Sequence, residues 1–295
     1  MTETDHVGPT ISTVGRHVRL ADILLLAVVP AAVVAVFSLP LATREALVFE
    51  YARPSVRDAV TAPFVHFDEG HIAFNLFGYA LVVAALYALT AATERYRQFR
   101  VVFISLLLTT PVLLSYLNLA IVRSGVTYGF SGVLMALYGY LPLVIAQHLD
   151  AELEVGRART VGPLFFFVGL TLVTAQVLRA VLANPVTVTV RGTAVGVTWV
   201  LVATLCGLLV GLAFVLALYV LSVFESGDGR LSGSPDLPDR TGHFELAVLA
   251  GVFFLAVPFV TFPADPIVEG SVVNLYVHFL GYALGFVASY VYSVL

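Results

Sequence analysis

Four polar side chains stand out among those in the apolar stretches of the chain, where a lipid environment penalises polar groups. They are His71, Asn75, Ser131 and His278. A serine hydroxyl becomes a nucleophile when a base takes its proton, and histidine is the side chain that most often serves as that base. His71 and Asn75, four residues apart, lie on one face of a helix and can donate hydrogen bonds to a developing oxyanion. These residue types are the ones that acyl transfer to a serine requires.

Glycines accompany both members of this serine and histidine pair. Ser131 has a glycine two residues before it and another directly after it, and Gly281 and Gly285 follow His278 by three and seven residues. Small residues at such spacing let two membrane helices pack backbone to backbone. Close packing is needed because a proton passes from serine to histidine only across about 3 Å. We therefore predict direct contact between the helices that carry Ser131 and His278.

The composition indicates which elements must hold these residues. Hydrophobic residues make up 59% of the 295 residues and charged residues only 12%, and the mean hydropathy is +0.96. These values exclude an ordinary soluble domain, and several apolar runs reach the roughly 20 residues that cross a bilayer as a helix. The sequence predicts an all-α, polytopic membrane helix bundle. Its eight predicted segments span about 20–41, 70–92, 101–122, 126–147, 162–183, 195–223, 245–263 and 272–294.

The polar residues are predicted to lie at one depth. The second, fourth and eighth segments run in the same direction, and each carries its polar residues one to two turns past the same membrane face. At about 1.5 Å per residue, Ser131 and His278 would both lie roughly 8–11 Å below the helix ends. The cores of these segments contain no Asp or Glu, so the pattern predicts a serine and histidine dyad and not a triad.

Arginine placement predicts the orientation of the bundle. With a cytoplasmic N-terminus, the inner loops hold nine arginines and the outer loops five, a bias that places both termini in the cytoplasm. We therefore expect a multi-pass protein of the cell membrane.

The segments that do not span fall into four groups. Residues 1–19 are predicted to be a cytosolic N-terminal tail, ahead of a single transmembrane domain over 20–295. Residues 42–69 mix aromatic and charged side chains and suit an interfacial outer loop. Residues 185–194 alternate like a strand but are too short to span, and we expect an exposed loop. Residues 224–244, rich in Gly, Ser, Pro and Asp, predict a flexible cytosolic loop.

Several function classes are excluded by the same residues. The net charge of −4 and the lack of a basic cluster exclude nucleic acid as a partner, which leaves the lipid bilayer as the immediate surroundings. There is no glycine-rich phosphate loop and no His-Glu-x-x-His helix, so no cofactor and no metal are expected. The single cysteine, Cys206, cannot form an internal disulfide. The oligomeric state is left open.

Three motifs occur in order along the chain: His66-x4-His71-x3-Asn75, Gly129-x-Ser131-Gly132 and His278-x2-Gly281-x3-Gly285. As a set they resemble the rhomboid family of intramembrane serine proteases, over segments one to four and the last segment. The resemblance implies a rhomboid-like core with Ser131 and His278 as the catalytic dyad. It also implies oxyanion stabilisation by His71 and Asn75. The implied activity is that of a serine endopeptidase, a hydrolase that cleaves transmembrane segments of other membrane proteins.

The chain departs from the family pattern in three places. Three helices lie between the serine and histidine segments, where rhomboids usually have one. Met135 stands where the family often has a tyrosine that stacks on the histidine. The outer loop lacks the Trp-Arg pair common in the family, and Arg57 is the nearest candidate.

Two other functions compete with proteolysis. In the sixth segment, Thr204 precedes Gly207 and Gly211 at the spacing at which His278 precedes Gly281 and Gly285. If that segment occupied the histidine position, the chain would be a catalytically inactive scaffold that binds transmembrane clients. A small-solute transporter is the third hypothesis, although the polar residues cluster near one face and not along a midplane path.

Overall fold

A computed structural model describes residues 19–120, 125–190, 193–226, 237–265, 267–268 and 271–295. Within these ranges the chain is almost entirely helical, and the short strands form three two-stranded antiparallel pairs. Eight helices of the described residues are long and apolar enough to cross a membrane. The all-α class and the multi-pass membrane architecture are confirmed. The predicted tail, apart from Arg19, lies outside the described residues.

The helices are α1 (Leu20–Phe37), α2 (Leu41–Glu45), α3 (Val56–Thr61), α4 (Glu69–Ala92), α5 (Tyr96–Leu117), α6 (Ser131–Glu152), α7 (Ala158–Ala183), α8 (Thr198–Ser226), α9 (Leu237–Thr261) and α10 (Leu275–Val294). The strands are β1 (Phe49–Glu50), β2 (Val126–Thr127), β3 (Thr187–Val190), β4 (Thr193–Gly196), β5 (Ile267–Val268) and β6 (Ser271–Val272). All helices except α2 and α3 contain a candidate membrane span.

Three predicted loops are partly regular structure, and the outer loop over 42–69 contains most of α2, all of α3 and the strand β1. Residues 187–190 and 193–196 pair as the antiparallel strands β3 and β4, so the predicted exposed loop contains a β-hairpin, and its strand β4 is exposed. Alternating Val and Thr favour the pleated backbone, which explains the pairing. The predicted loop over 224–244 is also too long, because α8 extends to Ser226 and α9 already begins at Leu237. Pro238 is compatible with the first turn of a helix and does not prevent that early start. Residues 227–236 of this loop lie outside the described residues.

The serine helix α6 is the centre of the bundle. In the apolar stretch that marks α6 as a candidate membrane span, 94% of the residues are buried, against 6% in the corresponding stretch of α8. The helix α6 packs against α4, α5, α7, α9 and α10. A helix that is apolar on all sides is expected in the interior. Ser131 is the first residue of this helix, so it lies where the central helix meets the surface at one end of the bundle, which we call the serine end.

The histidine helix α10 packs backbone to backbone on α6. A Cβ added to Gly281 would overlap the carbonyl oxygen of Gly132, and one added to Gly285 would overlap that of Ala136. The contact positions advance together along both helices, so α6 and α10 are parallel. The direct contact predicted from the glycine spacing is confirmed.

At the opposite end of the bundle, a buried ion pair joins three helices. The Asp22 carboxylate of α1 is only 1% exposed and accepts hydrogen bonds from Nε of Arg100 at 2.5 Å and Nη2 at 2.9 Å. The Tyr87 hydroxyl of α4 donates to the same carboxylate at 2.9 Å. A buried charge is tolerated when it is paired and hydrogen-bonded in this way. The cluster therefore fixes the outer helix α1 against α4 and α5.

We expect Asp22→Ala to lower the free energy of unfolding by about 3 kcal/mol, because it removes the charged acceptor of the hydrogen bonds from Arg100 and Tyr87. The measurement is unfolding of the detergent-solubilised protein by a denaturing detergent. Glu50→Ala is the matched control: the Glu50 and Arg53 pair is exposed, so its loss should cost less than about 1 kcal/mol. Equal midpoints for Asp22→Ala and the wild type would contradict the prediction.

Candidate functional site

The starts of α4, α6 and α10 meet at the serine end. Asp68 caps α4 by accepting a hydrogen bond from the His71 amide at 2.7 Å. Asn274 caps α10 in the same way, through the Val277 amide at 3.2 Å. These caps place His71 and His278 in the first turns of their helices. The site is therefore built from three helix N-termini, each of which carries a partial positive charge.

The start of α6 is shaped for the approach of a negative group. Its N-cap residue, Phe130, offers no side-chain hydrogen bond, so the first amides of the helix, from Ser131 onward, have no partner within the helix. The hydroxyl-bearing Ser131 is half-buried at this position. Such an uncapped N-terminus is a binding site for anions and developing oxyanions.

Gly129 brings the His71 ring close to the serine. Its φ of +96° is a conformation that L side chains rarely adopt. A Cβ added there would lie 2.8 Å from Cε1 and 3.1 Å from Nε2 of His71. The imidazole thus rests against the backbone two residues before Ser131. The Gly129 amide donates to the Ala62 carbonyl at 3.0 Å, which anchors this approach.

His278 is buried on the other side of the α6 start. Its side chain is 5% exposed, and Nδ1 lies 2.9 Å from the carbonyl oxygen of Thr261. Because a carbonyl only accepts hydrogen bonds, Nδ1 carries the proton in the neutral ring, and Nε2 carries the free lone pair. His278 is therefore in the tautomer that a general base at Nε2 requires.

Ser131 and His278 lie at the same height along the packed helices α6 and α10, and no hydrogen bond joins them. The residues beside them, Gly132 and Val277, are in contact. Among the described residues, no hydrogen bond joins the Ser131 hydroxyl to His278. Catalytic hydrogen bonds are often long in unliganded enzymes and tighten around the substrate.

The two predicted oxyanion donors differ in their availability. Asn75 is 1% exposed, and its Nδ2 donates to His66 Nε2 at 3.0 Å and to the His71 carbonyl at 3.1 Å. Both amide hydrogens are in use, so Asn75 must release one of these bonds before it can donate to a substrate. Within the described part of the chain, the His71 ring nitrogens have no hydrogen-bond partner. His71 is the donor that the present arrangement leaves free.

His66 is part of the first motif but not of the predicted site, and the structure gives it a positioning role. Its ring is fully buried, Nδ1 donates to the Phe64 carbonyl at 3.3 Å, and Nε2 accepts from Asn75. Burial, reinforced by the neighbouring His71 ring, lowers the pKa of His66 to about 4. A neutral His66 is what allows Nε2 to accept the Asn75 bond. No periodicity marks this contact, because His66 precedes α4 and its partner lies within it.

This lowered pKa predicts a pH-dependent stability. Between about pH 6.5 and pH 4 the unfolded chain binds a proton at His66 and the folded chain does not, so the free energy of unfolding falls as pH falls through this window. We expect at most about 3 kcal/mol from this residue. In His66→Gln, the fall in unfolding free energy between pH 7 and pH 4 should be smaller by that amount. Identical pH profiles for the two proteins would contradict the assignment.

An open cleft reaches the backbone on either side of Ser131. It lies between α5, the start of α6 and the start of α10. Gly129 and Gly132 form part of its wall. Its polar lining comprises Ser115, Asn118, Thr127 and Tyr128. The cleft can therefore hold water beside the backbone around Ser131, although the Ser131 side chain does not line it.

Thr204 does not take the position of His278. It is exposed, and its hydroxyl bonds only to the Val200 carbonyl of its own helix, at 2.8 Å. A Cβ added to Gly207 or Gly211 would meet nothing within 4 Å, whereas Gly281 and Gly285 face α6. The helix α8 packs on α7 at the periphery. The hypothesis that Thr204 occupies the histidine position is wrong.

No metal centre is evident in the ranges described above, where no three His, Cys, Asp or Glu side chains are grouped to hold an ion. The chemistry available to the site is that of the hydroxyl, the two imidazoles and the backbone amides. Proton transfer and oxyanion stabilisation need nothing further.

Comparisons of the chain with protein-family models, with curated proteins and with solved structures find no match. The functional interpretation therefore depends on the residues and their geometry. The strongest part of that geometry is the meeting of three helix starts, each of which contributes one of the predicted residues Ser131, His71 and His278.

Proposed function

We propose that the chain is an intramembrane serine endopeptidase of the rhomboid type, with Ser131 as nucleophile and His278 as general base. The observation that carries the proposal is the buried imidazole of His278, held through Nδ1 beside the start of the serine helix. The order and spacing of the motifs, which resemble those of rhomboid proteases, support the same assignment.

The reaction divides into acylation and deacylation. His278 Nε2 takes the hydroxyl proton as Ser131 Oγ attacks a peptide carbonyl, and a tetrahedral intermediate forms. The C–N bond then breaks, and His278 returns the proton to the leaving amine, which leaves an ester on Ser131. A water molecule, deprotonated by His278, attacks the ester. Collapse of the second intermediate releases the carboxylic acid and restores the serine hydroxyl.

The oxyanion of each intermediate is stabilised by the start of α6. Its unpartnered first-turn amides and the free ring of His71 are donors that already stand in place, and each such donor contributes roughly 3–4 kcal/mol. Asn75 adds a donor when a substrate displaces one of its present bonds. Preorganisation of this kind suits a site in which no carboxylate of the described helices contacts the histidine.

The substrate class follows from the surroundings of the site. Ser131 lies at the end of the most buried of eight candidate membrane spans, so a substrate must approach through lipid or at the membrane surface. A helix in lipid has all its carbonyl groups hydrogen-bonded, and it must unwind locally to expose one to the serine. Transmembrane segments of other proteins, opened near the serine end, are therefore the proposed substrates.

A serine-reactive fluorophosphonate probe tests the proposal. We expect labelling of the wild type, none of Ser131→Ala, and retained labelling of Ser115→Ala, whose hydroxyl lies in the neighbouring cleft. Absence of labelling in wild-type protein that is shown to be folded would instead support a scaffold that binds transmembrane clients without cleaving them.

A further inference from the structure

We propose that the C-terminal end of α9 is a positioning element of the catalytic site, in which the Thr261 main-chain carbonyl orients His278 as a carboxylate does in a catalytic triad. The inference rests on the proposed function and extends it to a helix that carries none of the motif residues.

The carbonyl of Thr261 is available because α9 ends there. The last carbonyls of a helix have no intrahelical donor and must find partners elsewhere. Thr261 Oγ1 bonds within its own helix, to the Val257 carbonyl at 2.9 Å, whereas its main-chain oxygen receives His278 Nδ1 at 2.9 Å. The contact to His278 therefore comes from the backbone and not from the threonine side chain.

This contact has two consequences for proton transfer. It fixes the ring in the tautomer whose Nε2 carries the lone pair, the role that a buried aspartate fills in a triad. The C-terminal end of a helix also carries partial negative charge, and here it faces the positive charge that develops on His278 as Ser131 loses its proton. The described spanning helices place no carboxylate in contact with His278, so the helix end supplies both effects.

Phe262, the residue after α9, holds the ring on a second side. Its side chain is fully buried and meets His278 edge to face, with ring centroids 5.7 Å apart and an interplanar angle of 86°. Aromatic pairs prefer this geometry. The imidazole is thus fixed by a hydrogen bond at Nδ1 and by ring packing, as a general base must be if Nε2 is to point consistently.

The end of α9 is itself anchored to the helices around the site. In α6, the Tyr138 hydroxyl donates to the Phe254 carbonyl of α9 at 2.6 Å, and the two rings stack at 5.6 Å. After α9, the Ala264 carbonyl accepts from Asn184 Nδ2, at the end of α7, at 2.8 Å. The helix that orients His278 is therefore tied to the helix that carries Ser131.

The tautomer of His278 is measured in the full chain, labelled with ¹⁵N-histidine in detergent micelles near pH 8, with His278→Gln to assign its signals. We expect a proton on Nδ1 and none on Nε2. In Phe262→Ala, where the ring loses the packing that holds it against the Thr261 carbonyl, we expect mixed tautomers and a fall in kcat of roughly 10- to 100-fold, the range found for groups that orient a metal-bound histidine, with KM changed less than about twofold. Phe259→Ala, on an exposed position of the same helix, should change neither.

A wild-type ring protonated at Nε2 would overturn the inference, and so would an unchanged tautomer and kcat in Phe262→Ala. If Phe262→Ala does not fold, the wild-type spectrum still decides. Labelling of Ser131 by the fluorophosphonate probe distinguishes failure of the positioning role from failure of the proteolytic function. Labelling together with an Nε2-protonated ring overturns the positioning role alone. No labelling together with an Nδ1-protonated ring overturns the proteolytic function, and the Thr261 contact is then structural.

Discussion

His278→Ala should lower the rate of cleavage of a model transmembrane substrate by roughly 10⁶-fold, as loss of the histidine from a catalytic serine and histidine unit does. Without the imidazole of His278, Ser131 loses the base to which the proposed mechanism assigns its proton. The measurement is the single-turnover rate in proteoliposomes, where substrate and protein share one bilayer.

Two comparisons make this result specific. Thr204→Ala should cleave at the wild-type rate, because α8 lies at the periphery and the Thr204 hydroxyl bonds only within its own helix. The double variant of Ser131→Ala with His278→Ala should be no slower than either single variant, because the two side chains act as one unit. Loss of cleavage in Thr204→Ala, with His278→Ala fully active, would refute the site assignment.

The features that sequence alone predicts are those with a local periodic signal. Eight apolar runs predict eight spans because the bilayer fixes the required length. The contact between α6 and α10 is predictable because glycine is the residue that lets backbones meet, and its spacing at Gly281 and Gly285 marks one helix face. The equal depth of Ser131 and His278 follows from counting residues along helices that run the same way.

The contacts that sequence alone does not predict are made by the backbone or across irregular segments. The partner of His278 Nδ1 is a main-chain carbonyl, and every residue has one, so no residue type identifies Thr261. The bond from Asn75 to His66 joins a helix to the loop before it. Because of this bond, the Asn75 amide is already hydrogen-bonded and is not free to donate to an oxyanion. The spacing of His71 and Asn75 along the helix does not reveal this.

The additional helices also become interpretable only in three dimensions. Counting helices shows that three lie between the serine and histidine segments but not where they pack. In the structure α8 is peripheral, whereas α9 contacts α4, α6 and α7 and ends against His278. The same repeat of small residues is buried against α6 in α10 and open in α8, so the motif alone cannot identify the partner helix.

Gly285→Ala should disrupt the fold severely, although it adds only one methyl group. The added Cβ would lie 2.6 Å from the carbonyl carbon and 2.8 Å from the Cα of Ala136. Backbone atoms on both sides cannot move aside as a flexible side chain does, so α10 must separate from α6. We expect the free energy of unfolding to fall by about 3 kcal/mol or more. Displacing His278 by about 1 Å would slow cleavage by roughly a further 100-fold in the molecules that remain folded.

Gly211→Ala is the matched control, since it adds the same methyl group to the same small-residue repeat in α8. Nothing lies within 4 Å of its added Cβ, and alanine is the better helix former by about 1 kcal/mol, so its stability should equal or exceed that of the wild type. Both variants are compared by denaturing-detergent titration and then by cleavage rate per folded molecule. Equal stability of Gly285→Ala and Gly211→Ala would mean that α6 and α10 do not touch along this face. The serine and histidine would then lack the close helix contact on which the proposed chemistry depends.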